Sequence, residues 1–354
     1  MLSTTAEVSI ESHVIVADLT SHRATSITHT TYTQEAFVNM DMEGIKEIGQ
    51  AEGWLLSASL VHASSEDRTA LLGSGGYGEV CRGTYFGGCV AVKRPVSNGT
   101  SDSASCAEEQ LHRYLASVAN EIRILRRVRH PNIVVFHGAI LANNSLALLM
   151  EEVDGQNLAV FSTNNKPIFT KAILQGIAAA LWYLHSLTVP IVHGDLKPAN
   201  VMVEMRLNLN SQFEPLAKVI DFGLSRVLSR HAKPLGGTLH WTAPEVHRGS
   251  TLPSPSADIF AFGCIMFFML CNRQLYTQLM ALPSGQAELE HLRLACSAMR
   301  VVVEWTQVCE KCLAFDPLVR WDSKDLHAGV LVFPKLPSGL APMETFHERE
   351  RAKL

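Results

Sequence analysis

The chain is predicted to fold as an α+β protein, and three stretches carry that prediction. First, Leu72-Gly73-Ser74-Gly75-Gly76-Tyr77-Gly78 leads into Glu79-Val80-Cys81-Arg82-Gly83-Thr84-Tyr85, which alternates like a strand and so reads as the second arm of a glycine-rich β-hairpin. Second, Asn120 to Val128 sets Glu121, Ile124, Leu125 and Val128 at i, i+3, i+4 and i+7, one face of a helix. Third, Asp258 opens a strongly apolar helix, Ile259 to Leu270, which falls short of the roughly 18 apolar residues that span a bilayer.

Taken in order, the glycines of Leu72 to Val80 fit G-x-G-x-x-G-x-V, where missing β-carbons let backbone amides approach phosphate oxygens. A dinucleotide-binding loop carries similar glycines but opens a helix, and the alternation after Gly78 favours the hairpin. The next strand, Cys89-Val90-Ala91-Val92-Lys93, ends in a lysine. A lone lysine there is usually a solvated edge charge, but its distance behind the glycine loop suits contact with phosphates. Glu121, an acid on an apolar helical face, needs a partner because an unpaired buried carboxylate costs several kcal/mol, roughly, and Lys93 is the candidate. Arg123, Arg126 and Arg127 point the other way and read as a solvated face, with a docking or phosphate site as the alternative.

The richest stretch follows. His193-Gly194-Asp195-Leu196-Lys197-Pro198-Ala199-Asn200 puts an acid, a lysine and an amide on one short loop, with Asp221-Phe222-Gly223 behind it. An acid can orient a hydroxyl nucleophile, an amide and a second carboxylate can hold magnesium, and a lysine can offset charge on a transferred phosphoryl group.

With these segments in this order, residues 66 to 334 resemble the protein kinase family. The glycine loop, the strand ending at Lys93 and the helix carrying Glu121 match, as do the catalytic loop and Asp221-Phe222-Gly223. So does Gly237-Thr238-Leu239-His240-Trp241-Thr242-Ala243-Pro244-Glu245, similar to the family's substrate-binding loop, and Asp316 to Trp321, similar to the segment whose arginine pairs with that glutamate. The resemblance implies a bilobal fold: a small antiparallel β-rich lobe with one key helix (66–152), a larger mainly helical lobe (153–334), and ATP between them.

It also implies roles. Asp195 would be the catalytic base, Lys197 would neutralise the γ-phosphate, Asn200 and Asp221 would bind Mg2+, and Lys93, held by Glu121, would reach the α- and β-phosphates. The nucleotide would meet Leu72, Gly73, Gly75 and Gly78, with the adenine between Val80 and Ala91 above and Met202 below, beside the hinge Glu151-Glu152-Val153 and the gatekeeper Met150. Leu125, Phe136, His193 and Phe222 would form the apolar stack that joins the lobes, making His193 structural. Glu245 and Arg320 would form a buried ion pair, and Asp258 would anchor the catalytic loop. Lys197 and Gly237-Thr238 resemble Ser/Thr enzymes more than tyrosine kinases, and the glycine loop with the Trp54 region suggests the tyrosine-kinase-like group of those enzymes.

One departure stands out. Gly194 occupies the position where most of the family has an arginine that pairs with an activation-loop phosphate, so activity is expected to depend little on such a phosphate. Ser225, Ser229 and Thr238 remain candidate modification sites, with Thr238 expected instead to contact Asp195 and Lys197. The rival class, a pseudokinase or scaffold, usually shows loss of the lysine, the base or a metal ligand, and Lys93, Asp195, Asn200 and Asp221 are all present. A small-molecule kinase is disfavoured by the peptide-binding look of Gly237 to Glu245.

Bulk properties agree with one enzyme domain plus tails. At 354 residues and 47% hydrophobic the chain can bury a full core, and a net charge of −4 argues against a dedicated nucleic-acid binder. Residues 1–65 carry eight acids against Arg23 and Lys46, and the first thirty or so are Ser/Thr-rich, so this extension is expected to be largely disordered. Within it, residues 35–60, with Phe37, Ile45, Ile48, Trp54, Leu55 and Leu56, can form a helix or strand packed on the small lobe. Two segments exceed the family pattern, Ser97 to Ser105 and Met205 to Pro215, and read as surface loops or hairpins.

Eight cysteines with no signal peptide suggest a reducing, cytoplasmic setting; Cys309-Glu310-Lys311-Cys312 is expected in a core helix and not on zinc. The charged tail 335–354 ends in Ala352-Lys353-Leu354, a variant of a peroxisomal address for which an ordinary charged helix end is the favoured explanation. Protein substrates are the implied partners, no membrane span is expected, and nothing in the sequence specifies an oligomeric state.

Overall fold

The computed structural model describes residues 13–15, 26–28, 42–63, 71–75, 78–95, 104–142, 145–164, 167–227, 238–248, 252–271 and 303–333. Gly76 and Tyr77 of the glycine loop, most of the expected loop at 97–105, Ser229 and Gly237, and the tail with its terminal tripeptide lie outside them.

The described strands are β1 (His13–Ile15), β2 (Ser26–Thr28), β3 (Leu55–Leu56), β4 (Val61–Ala63), β5 (Leu71–Gly75), β6 (Gly78–Tyr85), β7 (Gly88–Arg94), β8 (Phe136–Ala142), β9 (Ser145–Glu151), β10 (Gly155–Asn157), β11 (Ile191–Val192), β12 (Val201–Leu207), β13 (Phe213–Val219) and β14 (Arg226–Val227). The helices are α1 (Met42–Ala51), α2 (Ala104–Leu125), α3 (Leu158–Asn164), α4 (Thr170–His185), α5 (Pro244–His247), α6 (Pro255–Cys271), α7 (Val303–Cys312) and α8 (Ser323–Leu331). A large, mostly antiparallel sheet with the long helix α2 in the first half of the chain, and a second half with more helix and short sheets, is the α+β architecture expected.

Among the described residues a seven-stranded sheet runs β3-β8-β9-β7-β6-β4, with β5 added on β6. Its centre shows why β7 presents a lysine to the cleft. Val90 and Val92 point to one face, where they pack with Val61, Ile140, Ala147 and Leu149. The two-residue period of a strand then turns Ala91 and Lys93 to the opposite face. Antiparallel register sets Lys93 against Val80 of the glycine hairpin and Ala91 against Met150.

Part of the amino-terminal extension packs on the sheet. Residues 42–63 are built into the fold: Ile45 is fully buried, Trp54 is buried, β3 pairs with β8 in parallel and β4 pairs with β6. Apolar burial outweighs the acidic composition because the acids of α1 sit on its outer side, with Glu43 exposed and bonded to Lys46 at 3.0 Å. These elements are the helix and strands that the apolar residues of 35–60 were expected to pack on the small lobe.

Helix α2 also departs from the expectation. It begins at Ala104, well before Asn120, and Ile122 is buried along with Glu121, Ile124, Leu125 and Val128. The arginines do not form one solvated face. Arg126 pairs with Glu52 in a largely buried contact, Arg123 donates to Asn120 Oδ1 at 3.0 Å, and only Arg127 of the three is exposed.

In the second half, α6 is apolar all round and buried over most of its length, as a helix surrounded by other elements must be. Trp305 of α7 stacks on Phe333 with ring centroids 4.1 Å apart. Cys309 and Cys312 are fully buried in α7 as expected, and burial pushes the Cys312 thiol well above its ordinary range. No metal-holding cluster of His, Cys, Asp and Glu occurs among the described residues, and none of the described helices is long and apolar enough to cross a membrane. The second insertion is an antiparallel hairpin, with Met205 opposite Pro215 and Leu207 opposite Phe213.

Candidate active site

Lys93 projects from β7 toward α2, where its ammonium pairs with Glu121 Oε1 and reaches Asp221 Oδ1 at 3.2 Å. Lys93 and Glu121 are 6% and 0% exposed, so the pair that sequence spacing suggested is a buried ion pair. Burial favours neutral forms of both, and it holds the Glu121 carboxyl above its ordinary range despite the lysine. Lys93 is also desolvated, but the two carboxylates more than offset this and raise its pKa, so the ammonium stays charged. For Asp221, burial acts upward and the Lys93 ammonium downward, and the ammonium wins. Two residues of α2 that the sequence reading passed over complete this end. Ser117 donates to Glu121 Oε1 at 3.2 Å, and Tyr114 Oη donates to the Lys93 carbonyl at 3.0 Å and the Leu146 carbonyl at 2.8 Å. Both stand near Glu121 at helical spacing, i−4 and i−7, which is the signal that could have found them.

The second cluster is built on the loop from His193 to Asn200. Asp195 Oδ2 accepts from Lys197 Nζ at 2.6 Å, and Oδ1 accepts from the Thr238 hydroxyl at 2.8 Å and its backbone N–H at 3.0 Å. Lys197 Nζ also donates to Thr238 Oγ1 at 2.6 Å. Asn200 Nδ2 donates to the Asp195 carbonyl at 2.9 Å and to its Oδ2 at 3.1 Å, which leaves the amide oxygen as the atom available to a cation. Asp195, Lys197, Asn200 and Thr238 therefore form one connected group, as expected.

Asp258 fixes the loop from below. Its carboxylate accepts from the backbone N–H of His193 at 2.8 Å and of Gly194 at 2.9 Å, and faces His185 Nε2 at 3.0 Å. Gly194 adopts φ +79°, and a β-carbon there would lie 2.9 Å from the Leu224 carbonyl oxygen, so the glycine suits a left-handed turn pressed against the segment after Asp221. His193 accepts from Asp195 N at Nδ1, 3.3 Å, and its Nε2 lies 3.1 Å from the Ile220 carbonyl, while its ring meets Phe222 edge-on at 5.0 Å. Both ring nitrogens are engaged within the protein, which fixes the imidazole against Phe222 in a structural position.

The remaining expectations divide. Met150 is buried and Ala91 lies opposite it, while Met202 and Val153 are partly buried at the edge of the same region. The Glu151 carboxylate is committed elsewhere, accepting from Val135 N at 2.8 Å and Lys218 Nζ at 2.6 Å, and its backbone N–H donates to the Val135 carbonyl at 2.9 Å, so neither group is open to a nucleotide. Ser225 is fully buried and donates to the His193 carbonyl at 2.7 Å, which removes it as an accessible modification site. Glu245 and Arg320 form a two-pronged ion pair, at 2.5 and 2.8 Å, with further donation from Arg320 to the carbonyls of Ala314, Ser256 and Phe315.

The protein kinase domain family matches residues 67–328 of this chain. The chain is 34% identical over 227 residues to a probable serine/threonine-protein kinase of Dictyostelium discoideum, an alignment covering 62% of this chain and 20% of that protein. It is 29% identical over 282 residues to mitogen-activated protein kinase kinase kinase 10 of Mus musculus, covering 78% of this chain and 29% of that one. A probable serine/threonine-protein kinase of Arabidopsis thaliana, SIS8, is 31% identical over 233 residues, covering 63% and 21%. In each case the alignment spans less than a third of the relative's length.

Proposed function

Because this chain belongs to the protein kinase family, we propose that it is a serine/threonine protein kinase of the tyrosine-kinase-like group, transferring the γ-phosphate of ATP to hydroxyls of protein substrates. The observation that carries this reading is the connected group of Asp195, Lys197, Asn200 and Thr238, tied to the segment that bears Asp221 and its partners Lys93 and Glu121 by the Ile220 N–H, which donates to the Asn200 carbonyl at 2.9 Å.

In this reading Asp195 accepts or orients the proton of the attacking hydroxyl, and Thr238 and Lys197 hold its carboxylate in place beforehand. Lys197 offsets charge on the transferred group, and Lys93, fixed by Glu121, orients the phosphates of the nucleotide. The Asn200 amide oxygen and the Asp221 carboxylate suit a hard, oxygen-seeking divalent cation, and Mg2+ is the one we assign. When bound, that ion supplies charge neutralisation across the phosphate chain. Asp221 adopts φ +63°, a strained backbone for a non-glycine residue and one that marks functional positions. Leu72, Gly73, Gly75, Gly78 and Val80 would cover the phosphates, with the adenine against Ala91, Met150 and Met202 and beside the backbone of Glu151 and Val153.

Gly194 supports activity without an activation-loop phosphate, because no side chain there can receive one. Action on cytoplasmic protein substrates fits an enzyme with several buried free thiols. Phosphoamino-acid analysis of a mixed peptide library incubated with the chain and Mg-ATP tests the specificity. Phosphoserine and phosphothreonine are expected, and a product dominated by phosphotyrosine would overturn the assignment.

A further inference from the structure

Helix α2 touches the segment behind Asp221 through a residue that has no part in the chemistry above. Asn120, one position before Glu121, is 1% exposed. Its Nδ2 donates to the carbonyls of Phe222 at 3.3 Å and Gly223 at 3.1 Å, and also to that of Ser225. Its Oδ1 accepts from Arg123 at 3.0 Å, so the amide orientation follows from its surroundings: carbonyls on one side, a guanidinium on the other. The segment packs closely on the helix. A β-carbon on Gly223 would lie 2.2 Å from Ser117 Oγ and 3.1 Å from Glu121 Oε1. On its far side the same segment is bonded to the catalytic loop, through Ser225 Oγ to the His193 carbonyl at 2.7 Å.

We propose that Asn120 is a positioning residue that locks Phe222–Ser225 onto α2, so that Glu121 with Lys93 and Asp221 with the catalytic loop reach the cleft together. The proposal rests on the kinase reading for its consequence in turnover, though not for the contact itself. One buried amide reaches three backbone acceptors. Losing it removes a partner from each of these carbonyls, the Phe222 carbonyl keeping the Ser225 N–H at 3.1 Å, and favours arrangements in which Phe222 leaves its buried seat.

The test uses the full chain with Asn120→Asp, which keeps the size but replaces the donor by an acceptor, and Asn120→Ser, which shortens it. Two readouts are independent of turnover. Hydrogen exchange of amides 222–227 should quicken while that of α4 does not. The ratio of affinities for an ATP-site inhibitor that needs Phe222 displaced and one that needs it buried should move by about tenfold toward the former, the scale of one lost buried hydrogen-bond set. Turnover should fall in parallel, with kcat changing more than KM for ATP. Folded variants with unchanged exchange and inhibitor ratio would overturn the proposal, and so would failure of both variants to fold, since that would make Asn120 a folding residue. Asp195→Asn separates the two readings: it should abolish transfer and leave both readouts as in the wild type. A wild-type chain that transfers no phosphate would sink the kinase reading while leaving exchange and inhibitor ratio to judge Asn120.

Discussion

Replacing Lys93 by methionine is expected to destabilise the fold in a pH-dependent way, beyond any loss of activity. In the wild type Glu121 is fully buried; its Oε1 meets Lys93 and the Ser117 hydroxyl, and its Oε2 has no hydrogen-bond partner. Methionine keeps the packing of the lysine stem and removes the charge, leaving a buried carboxylate with one hydroxyl donor. Breaking a buried ion pair from one side costs about 3–5 kcal/mol. Burial already holds the Glu121 carboxyl above its ordinary range, and without Lys93 it rises further. A group whose pKa is raised on folding binds its proton more tightly in the folded state. Its contribution is therefore favourable at low pH and is lost as pH climbs from the unfolded value through the folded one. The deficit of Lys93→Met should accordingly grow as pH rises from about 5 to about 8. Urea unfolding of both proteins across that range measures it. The double variant Lys93→Met/Glu121→Leu should recover to within about 1 kcal/mol of the wild type at the upper pH, because apolar groups replace a buried pair at little cost. A single variant as stable as the wild type at pH 8, or a deficit that does not change with pH, would refute the reasoning.

Two further outcomes follow from the same geometry. Glu245→Ala should cost about 3–5 kcal/mol in thermal or urea unfolding, because the Arg320 side chain is fully buried and would lose its carboxylate, while Glu245→Gln should cost less by keeping one acceptor. Complete phosphatase treatment should leave the rate of phosphate transfer unchanged within about twofold, since Gly194 offers no charge to an activation-loop phosphate, and a loss restored only by modification between Asp221 and Glu245 would contradict this.

The site was legible in the sequence where chemistry restricts residue type over a short span. Asp195, Lys197 and Asn200 lie within one loop, and only an acid, a cation and an amide serve there, so their grouping could be read directly. Lys93 and Glu121 were legible because an acid on an apolar helical face demands a cation. What escaped was set by packing between distant segments. Periodicity placed Arg126 on an outer face but could not say that Glu52 from the amino-terminal extension covers it. The apolar residues of 35–60, Ile45 and Trp54 among them, marked a packed helix or strand, but nothing local said that Leu55–Leu56 would pair in parallel with β8 and Val61–Ala63 with β6. Asn120 sits beside a recognised residue, but its contacts lie more than a hundred positions away, where no local pattern points. Ser225 looked like an exposed hydroxyl because nothing nearby in sequence reveals the catalytic-loop carbonyl that buries it.

The central claim is that Asp195 and its partners carry phosphoryl transfer in a cleft that binds Mg-ATP on its own. Single-turnover transfer from ATP to a Ser/Thr peptide, measured for the wild type and Asp195→Asn alongside nucleotide affinity, tests it most directly. The account predicts that the variant binds Mg-ATP as the wild type does and transfers slower by at least about a hundredfold, the usual worth of a positioned acid or base. Equal transfer rates in the two proteins, or a folded wild type that binds Mg-ATP and transfers nothing, would contradict it.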